Sequence, residues 1–339
     1  MNSLDGKRVL LIAARFFGYE DEIRLKLVSL GASVDFFDQR PSNSFLTKAL
    51  IRVNKKFLSR RIRTYYAQLL ERTRDVHYDY ILFISPEVIT GNAFRELKQA
   101  HPAAKLIVYM WDSIRNKGKN IQDILPLFDY RLSFDKGDCE SSALKIHYRP
   151  LFFLNDYFSI LQVPKRKYDL LFVGTIHSDR HRILMALREI CLAESLSYFY
   201  YMYFPSRLLF YMRAVLDPSL RNTSKEAFKF YPLRKNEIIA LMETSNVIVD
   251  IQHPKQTGLT MRTIEVLGAR KKLLTTNSDI VTYDFYNPEN ILVIDRDNIK
   301  VDLSFFKTSF VELEPAIYQK YSIDGWISDI FNLHQQGNV

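Results

Sequence analysis

Short apolar runs alternate along this chain with segments in which apolar residues recur every three or four positions. The chain opens with such a run, continues with an amphipathic segment to about Leu30 and breaks at Gly31. The runs that predict buried strands are Lys7–Ala14, Ala32–Phe37, Tyr80–Ser85, Lys105–Met110, Tyr130–Phe134, Tyr168–Gly174, Asn246–Asp250, Leu273–Thr276 and Ile291–Asp295. Strands that alternate with helices predict an α/β fold built on parallel sheets.

Two sets of these alternating elements indicate two Rossmann-like domains. The segments Tyr148–Phe153 and Val163–Lys167 read as the connection between them, because each contains a proline. The predicted parts are residues 1–153, residues 154–315 and a closing segment 316–339, helical over Ala316–Phe331. The first strand-to-helix loop lacks the Gly-x-Gly-x-x-Gly fingerprint, so the sequence gives no support for a dinucleotide cofactor.

The region Asp250–Asn277 predicts a strand, a polar loop, a helix and a second strand. The loop and the helix N-terminus follow the carboxyl end of the first strand, where open α/β sheets bind ligands and where phosphate is favoured. Arg262 and Glu265 lie three residues apart and share one helix face. An arginine there can fork onto a diphosphate and a glutamate can accept both ribose hydroxyls, while the alternative is a surface ion pair.

The stretch Gly258–Asn277, GLTMRTIEVLGARKKLLTTN, resembles the nucleotide-sugar site of GT-B glycosyltransferases. Their retaining branch carries two glutamates separated by seven residues; Glu265 matches the second, which binds ribose, and Thr257 replaces the first. With Arg262, the stretch is similar to CgeB-like and other surface-polysaccharide glycosyltransferases that build lipopolysaccharide or capsule. The resemblance implies two Rossmann-like domains facing each other across a cleft, with the acceptor on the first, the donor on the second and the closing helix returning to the first.

Several residues of the second domain are candidates for donor binding. A Gly-Thr pair at the end of a strand lets a ligand approach the backbone, and a following arginine either contacts an anion or is a solvated charge. The resemblance adds a loop residue that stacks on the base. The predicted donor-binding residues are Gly174, Thr175, Arg180, Tyr231, Gly258, Leu259, Thr260, Arg262 and Glu265.

An acidic residue follows the carboxyl end of each later strand in the first domain. These residues are Glu87, Asp112, Asp135 and Asp138, and each is either part of a site or a turn former. Since the resemblance places the acceptor here, the predicted catalytic base is Asp112, with Glu87 second. Trp111 beside Asp112 can stack on a sugar, and desolvation there would favour the protonated carboxyl.

Metal and cofactor sites are not expected. Asp295 and Asp297 follow a strand and could hold a divalent ion, but their polar surroundings favour a turn. GT-B enzymes generally use basic side chains and a helix N-terminus in place of a metal. No cofactor is predicted, because the nucleotide-sugar is a substrate.

The charge balance suggests an anionic partner. Lys and Arg number 47 against 38 Asp and Glu, a net charge of +9. The segment Ser44–Arg74 is strongly basic with one apolar stripe, which fits a membrane-surface helix, an ordinary crossover helix with a solvated face, or a nucleic-acid face. The basic residues expected to bind anionic lipid are Lys55, Lys56, Arg60, Arg61 and Arg63. The aromatic run in Ser197–Leu220 predicts a core strand followed by a helix, with an exposed membrane patch as the alternative.

The expected location is cytoplasmic. The chain enters a strand directly after MNSLDGKR, no apolar run is long enough to span a bilayer, and the two cysteines form no metal pattern. Peripheral attachment to the inner face of the plasma membrane stays open. The predicted function is metal-independent transfer of a hexosyl or related group from a nucleotide-sugar to a glycan or lipid-linked acceptor in surface polysaccharide biosynthesis. The alternative is a catalytically inactive nucleotide- or sugar-binding protein; a nucleic-acid partner lacks any motif.

Overall fold

The chain folds into two compact units. The computed structural model describes residues 4–44, 58–117, 119–140, 144–160, 166–221, 223–254 and 258–332. Unit 1 runs to Leu151 and takes in the helix that begins at Ile323, while unit 2 spans Phe152–Ser322. Thr257 and the part of the basic segment at 45–57, with Lys55 and Lys56, lie outside the described residues.

Unit 1 is built on a parallel sheet in the order β2-β1-β3-β4-β5-β6. Its described strands are β1 Arg8–Ala13, β2 Ser33–Asp38, β3 Tyr80–Ile84, β4 Lys105–Met110, β5 Tyr130–Ser133 and β6 His147–Tyr148. β1 pairs with both β2 and β3, because the chain first winds to one side and then crosses back to the other. The switch between the two winding directions therefore lies between β1 and β3, where the crevice of an open α/β sheet forms.

The helices of unit 1 cover this sheet. Among the described residues they are α1 Tyr19–Ser29, α2 Ser59–Thr73, α3 Gly91–Ala100, α4 Lys119–Ile124, α5 Lys136–Glu140 and, from the end of the chain, α13 Ile323–Asn332. α2 buries Ile62, Tyr66 and Leu69 against the core and leaves the predicted lipid-binding arginines exposed. α13 is anchored by Trp326, which is fully buried with its ring 5.0 Å from that of Tyr109.

Unit 2 repeats the architecture with strand order β12-β11-β10-β7-β8-β9. Its described strands are β7 Tyr168–Thr175, β8 Tyr198–Tyr203, β9 Phe228–Lys229, β10 Ser245–Asp250, β11 Lys272–Thr275 and β12 Ile291–Val293. The pairing of β7 with β10 and β8 is parallel, as are the other strand pairs of this sheet. Here the winding direction switches between β7 and β10, so the loops after these two strands line the crevice.

The described helices of unit 2 are α6 Asn155–Phe158, α7 Arg180–Ala193, α8 Arg207–Leu216, α9 Pro218–Arg221, α10 Lys235–Glu243, α11 Met261–Gly268 and α12 Pro315–Tyr321. α11 packs closely on the start of the unit, since a Cβ on Gly268 would lie 2.5 Å from the Phe153 ring. β8 and α8 are the strand and helix predicted from the aromatic run. Among the described residues, no helix has the length and apolar character needed to cross a bilayer.

The predicted closing segment differs from the structure, and the predicted connection has more structure than expected. The closing segment is two helices, because Ser322 is extended and the Phe153 amide donates a hydrogen bond to the Tyr321 carbonyl at 2.8 Å. α12 consequently belongs to unit 2 and α13 to unit 1. The segment Tyr148–Phe153, predicted as part of the connection, does contain the division between the units at Leu151 and Phe152. It also includes the last residue of strand β6 and ends in this bridge.

Candidate functional site

The candidate donor site lies at the switch point of unit 2. Gly258 has a φ of 82°, a left-handed conformation that glycine adopts without strain, and it turns the chain into α11. The Thr260 side chain caps α11 by accepting a hydrogen bond from the Thr263 amide at 3.2 Å. Both threonine hydroxyls donate to Asp250, at the carboxyl end of β10. The N-terminus of α11 is thereby fixed beside the end of a central strand, where an anion is favoured.

Arg262 and Glu265 form an ion pair, with Arg262 Nη1 2.7 Å from Glu265 Oε2. This ion pair is the contact that the alternative interpretation predicted, but it does not lie on an open surface, because Glu265 is buried at 7% exposure and Arg262 is half-buried. Arg262 Nη2 also approaches the Val173 carbonyl at 3.4 Å, which brings its guanidinium to the end of β7. The pair therefore lies at the switch point.

Tyr157 of α6 is a partner of Glu265 that the sequence did not reveal. Burial, and then the charge of Glu265 to which its hydroxyl hydrogen-bonds, raises the pKa of Tyr157. The residue is 2% exposed. It lies in the stretch 154–160, which carried no recognisable motif, so only its aromatic character in a polar segment was available as a signal. Glu265 is thus oriented by two side chains from different elements.

Arg180 and Arg296 join Arg262 at the ends of β7 and β10, and we call the three the arginine cluster. Arg180 donates from Nε to the Ile251 carbonyl at 2.6 Å and from Nη1 to the Thr175 carbonyl at 2.9 Å. Burial, together with Arg262 and Arg296, lowers the pKa of Arg180, while Asp250 acts in the opposite direction. Glu265, Asp179 and Asp250 already face these guanidiniums, so a phosphate anion would bind here by competing with carboxylates for the arginines.

The sequence did not identify Arg296 as a site residue, because in Asp295–Arg296–Asp297 the two carboxylates suggested a metal site or a turn. The Asp295 side chain accepts a hydrogen bond from the Asp297 amide at 2.8 Å, as a turn residue does. Arg296 Nη1 instead lies 2.9 Å from both carboxylate oxygens of Asp179, and its Nη2 donates to the Gln252 carbonyl at 2.7 Å. Within the described ranges, no three His, Cys, Asp or Glu side chains are grouped as metal ligands.

The other predicted donor residues take different places. Packing alone explains a glycine at position 174, since a Cβ there would lie 2.9 Å from the Phe172 ring. Leu259 is 2% exposed, so its side chain belongs to the core and only its backbone is available to a ligand. Tyr231 is 62% exposed, and its carbonyl accepts a hydrogen bond from the Tyr201 hydroxyl at 2.8 Å. Its ring meets the Tyr201 ring edge-on, with 6.0 Å between the ring centres, and its exposed part is suited to stacking on a base.

Two histidines also lie at this edge of the sheet. The His177 ring, in the loop after β7, is 5.5 Å from the His253 ring in the loop after β10. Burial, followed by Arg180, His253 and Arg213, lowers the pKa of His177 to about 4. His177 is therefore neutral at pH 7 and leaves the positive charge of the site to the arginine cluster.

The two candidate bases of unit 1 meet at one lysine. Lys117 Nζ lies 2.8 Å from Asp112 Oδ2 and 3.3 Å from Glu87 Oε1, and Arg40 pairs with Glu87 at 2.8 Å. Burial alone would raise the pKa of Glu87, but Lys117 and Arg40 outweigh it and the pKa is lowered. The desolvation expected for Asp112 was wrong, because its side chain is 53% exposed.

Asp135 and Asp138 hold the neighbouring loop in place. Asp138 accepts hydrogen bonds from the Ile114 amide at 3.0 Å and from the Ser133 hydroxyl at 2.6 Å. Asp135 accepts one from the Ser113 hydroxyl and one from the Gly137 amide. All four predicted acids do follow strand ends, but these two are buried turn formers, as the alternative interpretation proposed.

Three aromatic side chains, Phe16, Phe17 and Trp111, form a group next to Asp112 in unit 1. The Phe16 ring lies 5.5 Å from Trp111 and 4.8 Å from Phe17. Phe17 has a φ of 52°, rare for a bulky residue, and its side chain is 74% exposed. The loop after β1 is strained and presents this ring to solvent instead of burying it, a combination that clusters at functional positions.

The strand orders of the two parallel sheets define the class: the chain has the GT-B fold of two Rossmann-like domains. A solved glycosyltransferase from Rickettsia africae is 14% identical, with 99% of each chain covered and a TM-score of 0.61. HepE from Anabaena, solved in complex with UDP, is 11% identical over 97% of this chain and 100% of its own, with a TM-score of 0.58. The apo structure of OtsA is 12% identical over 96% of this chain and 99% of its own, with a TM-score of 0.59.

These similarities confirm the resemblance to GT-B glycosyltransferases at the level of the fold. The CgeB-like subgroup stays a prediction. No protein-family model matches the sequence, and no curated protein matches it at a significant level.

Proposed function

We propose that this chain is a glycosyltransferase that takes its sugar from a nucleotide-sugar donor. The observation that carries the proposal is the arginine cluster beside Glu265 and the capped N-terminus of α11, at the switch point of a GT-B unit. Positive charge and a buried carboxylate are the two features that a nucleoside diphosphate needs, one for its phosphates and one for its ribose. The complex of HepE with UDP supports this class of ligand.

Donor binding would rearrange the Arg262–Glu265 pair. The diphosphate competes with Glu265 for the Arg262 guanidinium, since phosphate oxygens make bidentate bonds to arginine. Glu265, still held by Tyr157, then has an oxygen available to accept the ribose hydroxyls. Tyr231 is proposed to stack on the base, and Gly174 and Thr175 to face the donor with their backbone.

The arginine cluster is also proposed to replace a metal ion. As the bond between the anomeric carbon and the phosphate oxygen breaks, its electron pair stays on the nucleoside diphosphate. Arg180, Arg262 and Arg296 stabilise this growing charge, with the helix N-terminus contributing further. The expected reaction is accordingly metal-independent transfer of a hexosyl or related group.

Unit 1 is proposed to receive the acceptor and supply the base. Asp112 accepts the proton of the acceptor hydroxyl, whose oxygen forms the new bond to the anomeric carbon. Lys117 positions Asp112 and Glu87 next to each other. The exposed ring of Phe17, with Phe16 and Trp111, gives the acceptor sugar an apolar surface on which to stack.

The acceptor is proposed to be a glycan or a lipid-linked glycan of surface polysaccharide synthesis. Support comes from the net charge of +9 and the exposed arginines of α2, which suit an anionic membrane surface. The protein would then act in the cytoplasm, attached peripherally to the inner face of the plasma membrane.

Release of nucleoside diphosphate from a panel of nucleotide-sugars, with and without membrane extracts as acceptor, tests the proposal. Acceptor-stimulated release from one donor, lost in Arg262→Gln, is the expected result. Binding of the same nucleotide without any release would instead identify a sugar-nucleotide-binding protein that lacks transfer activity.

A further inference from the structure

Helix α8 of unit 2 presents its large apolar side chains to solvent. Leu208, Tyr211, Met212 and Val215 are 71%, 51%, 60% and 72% exposed. Their spacing of three, four and seven residues places them on one face of the helix. We call these four residues the α8 face. Monomeric proteins rarely expose a contiguous apolar group of this kind without an interaction that covers it.

The fold does not need these side chains for its own stability. The inner side of α8 is held by Phe210, which is 3% exposed with its ring 4.9 Å from that of Phe228, and by Ala214 at 7%. The Ser206 side chain caps the helix by accepting a hydrogen bond from the Leu209 amide at 3.1 Å. Arg213, on the flank, donates to the Ile176 carbonyl at 3.2 Å. The helix is therefore anchored from one side, and the α8 face is left for an external partner.

Cations surround the α8 face. Lys225 Nζ lies 5.4 Å from the centre of the Tyr211 ring, and the Arg207 guanidinium lies 5.6 Å from that of Phe230. Arg207, Arg221 and Lys225 are exposed. Across residues 205–234, six Lys and Arg stand against two Asp and Glu, a difference of 6 − 2 = +4. One of the two acids, Glu226, accepts a hydrogen bond from the Ser224 hydroxyl.

We propose that the α8 face docks on an anionic lipid bilayer, with its apolar side chains among the acyl chains and the surrounding cations at the headgroups. An apolar stripe bordered by Arg and Lys is the composition of helices that lie in a membrane interface. The charge argues against a second copy of the chain as the partner, because two faces bordered by cations on a protein of net charge +9 repel each other. An anionic bilayer instead offers acyl chains to the apolar side chains of the α8 face and negative headgroups to the surrounding cations.

This assignment extends the proposed peripheral attachment and does not depend on sugar transfer. It also differs from attachment through the basic segment before and within α2, whose described part buries its apolar side chains. Vesicle binding needs no nucleotide-sugar donor. The assignment of the α8 face is therefore tested by flotation, and the proposed enzyme activity is tested separately by release of nucleoside diphosphate.

The test is flotation of the whole chain with vesicles of phosphatidylcholine containing about one third phosphatidylglycerol, compared with phosphatidylcholine alone. The double variant Leu208→Ser/Met212→Ser should reduce partitioning about tenfold or more, because two apolar side chains no longer enter the bilayer. Arg207→Gln/Lys225→Gln should weaken binding most at low salt. The matched control is Leu192→Ser on α7, whose leucine is 52% exposed and outside the face; it should bind as the wild type does.

A second measurement does not depend on the serine variants folding. Tyr211→Trp should shift its fluorescence to the blue when anionic vesicles are added, whereas Leu192→Trp should not, measured in each case as the change against the wild-type signal. Unchanged flotation of Leu208→Ser/Met212→Ser would overturn the assignment. So would sedimentation showing a dimer that Leu208→Ser dissolves. Loss of binding in Arg60→Gln/Arg61→Gln/Arg63→Gln, with wild-type flotation of Leu208→Ser/Met212→Ser, would assign the attachment to α2 instead.

Discussion

Glu265 is held by side chains from two elements, and its orientation follows from them. Arg262 comes from its own helix and is half-buried, and Tyr157 comes from α6 and is buried. Substitution by alanine would leave Arg262 without its carboxylate and would disturb folding as well as binding. A test of the ligand role therefore needs a change that keeps the shape of the side chain.

Glu265→Gln should weaken binding of a nucleoside diphosphate by about 1–3 kcal/mol, the contribution of charged hydrogen bonds to the ribose. Titration calorimetry measures it, with thermal unfolding as the check on the fold. Tyr157→Phe is the matched control, because it removes one hydrogen bond to Glu265 but not the carboxylate, and its effect on affinity should be smaller. Wild-type affinity in Glu265→Gln would contradict the ribose assignment.

Asp112→Asn should lower sugar transfer by about 10²- to 10⁴-fold while nucleotide binding stays unchanged, since the amide keeps the shape but cannot take a proton. The change is measured as turnover with donor and acceptor at saturation. Glu87→Gln is the comparison, because both carboxylates contact Lys117. If Asp112→Asn retains the wild-type rate and Glu87→Gln loses it, Glu87 is the base.

His177 should make the protein less stable in mild acid. Its folded pKa is about 4, below its ordinary value of 6.5, so the unfolded chain takes up the proton first as pH falls. The contribution of His177 to the free energy of unfolding is complete above pH 6.5 and is lost as the pH falls toward 4. Urea unfolding of His177→Gln should show a smaller loss between pH 7 and pH 5 than the wild type. The exposed His147→Gln should keep the wild-type loss; equal losses in all three proteins would show that His177 does not titrate in this range.

At the scale of elements, the contact of α11 with Phe153 gives a packing prediction. Gly268→Ala places a Cβ against the Phe153 ring in a buried position, which should lower the free energy of unfolding by about 1–3 kcal/mol. Gly91→Ala is the control, because its nearest contact is the end of the flexible Arg95 side chain at 3.5 Å. Equal stability of the two variants, measured by urea unfolding, would mean that the ring moves aside at no cost.

The strands and helices that periodicity could predict were those with an apolar core face. The long strands β1, β3, β4, β7 and β10 all followed from continuous apolar runs, because both faces of a parallel sheet are covered. β6 has two residues and pairs on one side with β5, too short for any pattern. The break at Ser322 depends on a backbone bridge to Phe153, 169 residues away in sequence by the numbering, which no local signal reports.

The site was predictable where it was local in sequence and not where it depended on tertiary contacts. Arg262 and Glu265 share a helix, and their spacing alone placed them on one face. Arg296 and Tyr157 reach the same place from distant segments, so their roles needed the fold. For Asp112 the sequence predicted the position at a strand end correctly, but the exposure of the side chain depended on the fold and was not predictable.

At the scale of the whole molecule, each unit carries a distinct chemical surface at the carboxyl ends of its strands. Unit 2 gathers the arginine cluster and Glu265, and unit 1 gathers two carboxylates around Lys117 with exposed aromatic rings beside them. The net charge of +9 favours anionic partners throughout, and the α8 face adds an apolar surface to it. Donor, acceptor and membrane are thereby assigned to separate sets of residues that can be changed one at a time.

The most direct test of the central claim is a crystal structure of the protein with a nucleoside diphosphate. We expect the diphosphate at the ends of β7 and β10, with its oxygens within about 3 Å of the arginine cluster and the ribose hydroxyls at Glu265. A nucleotide bound away from these residues, with the Arg262–Glu265 ion pair intact, would contradict the account.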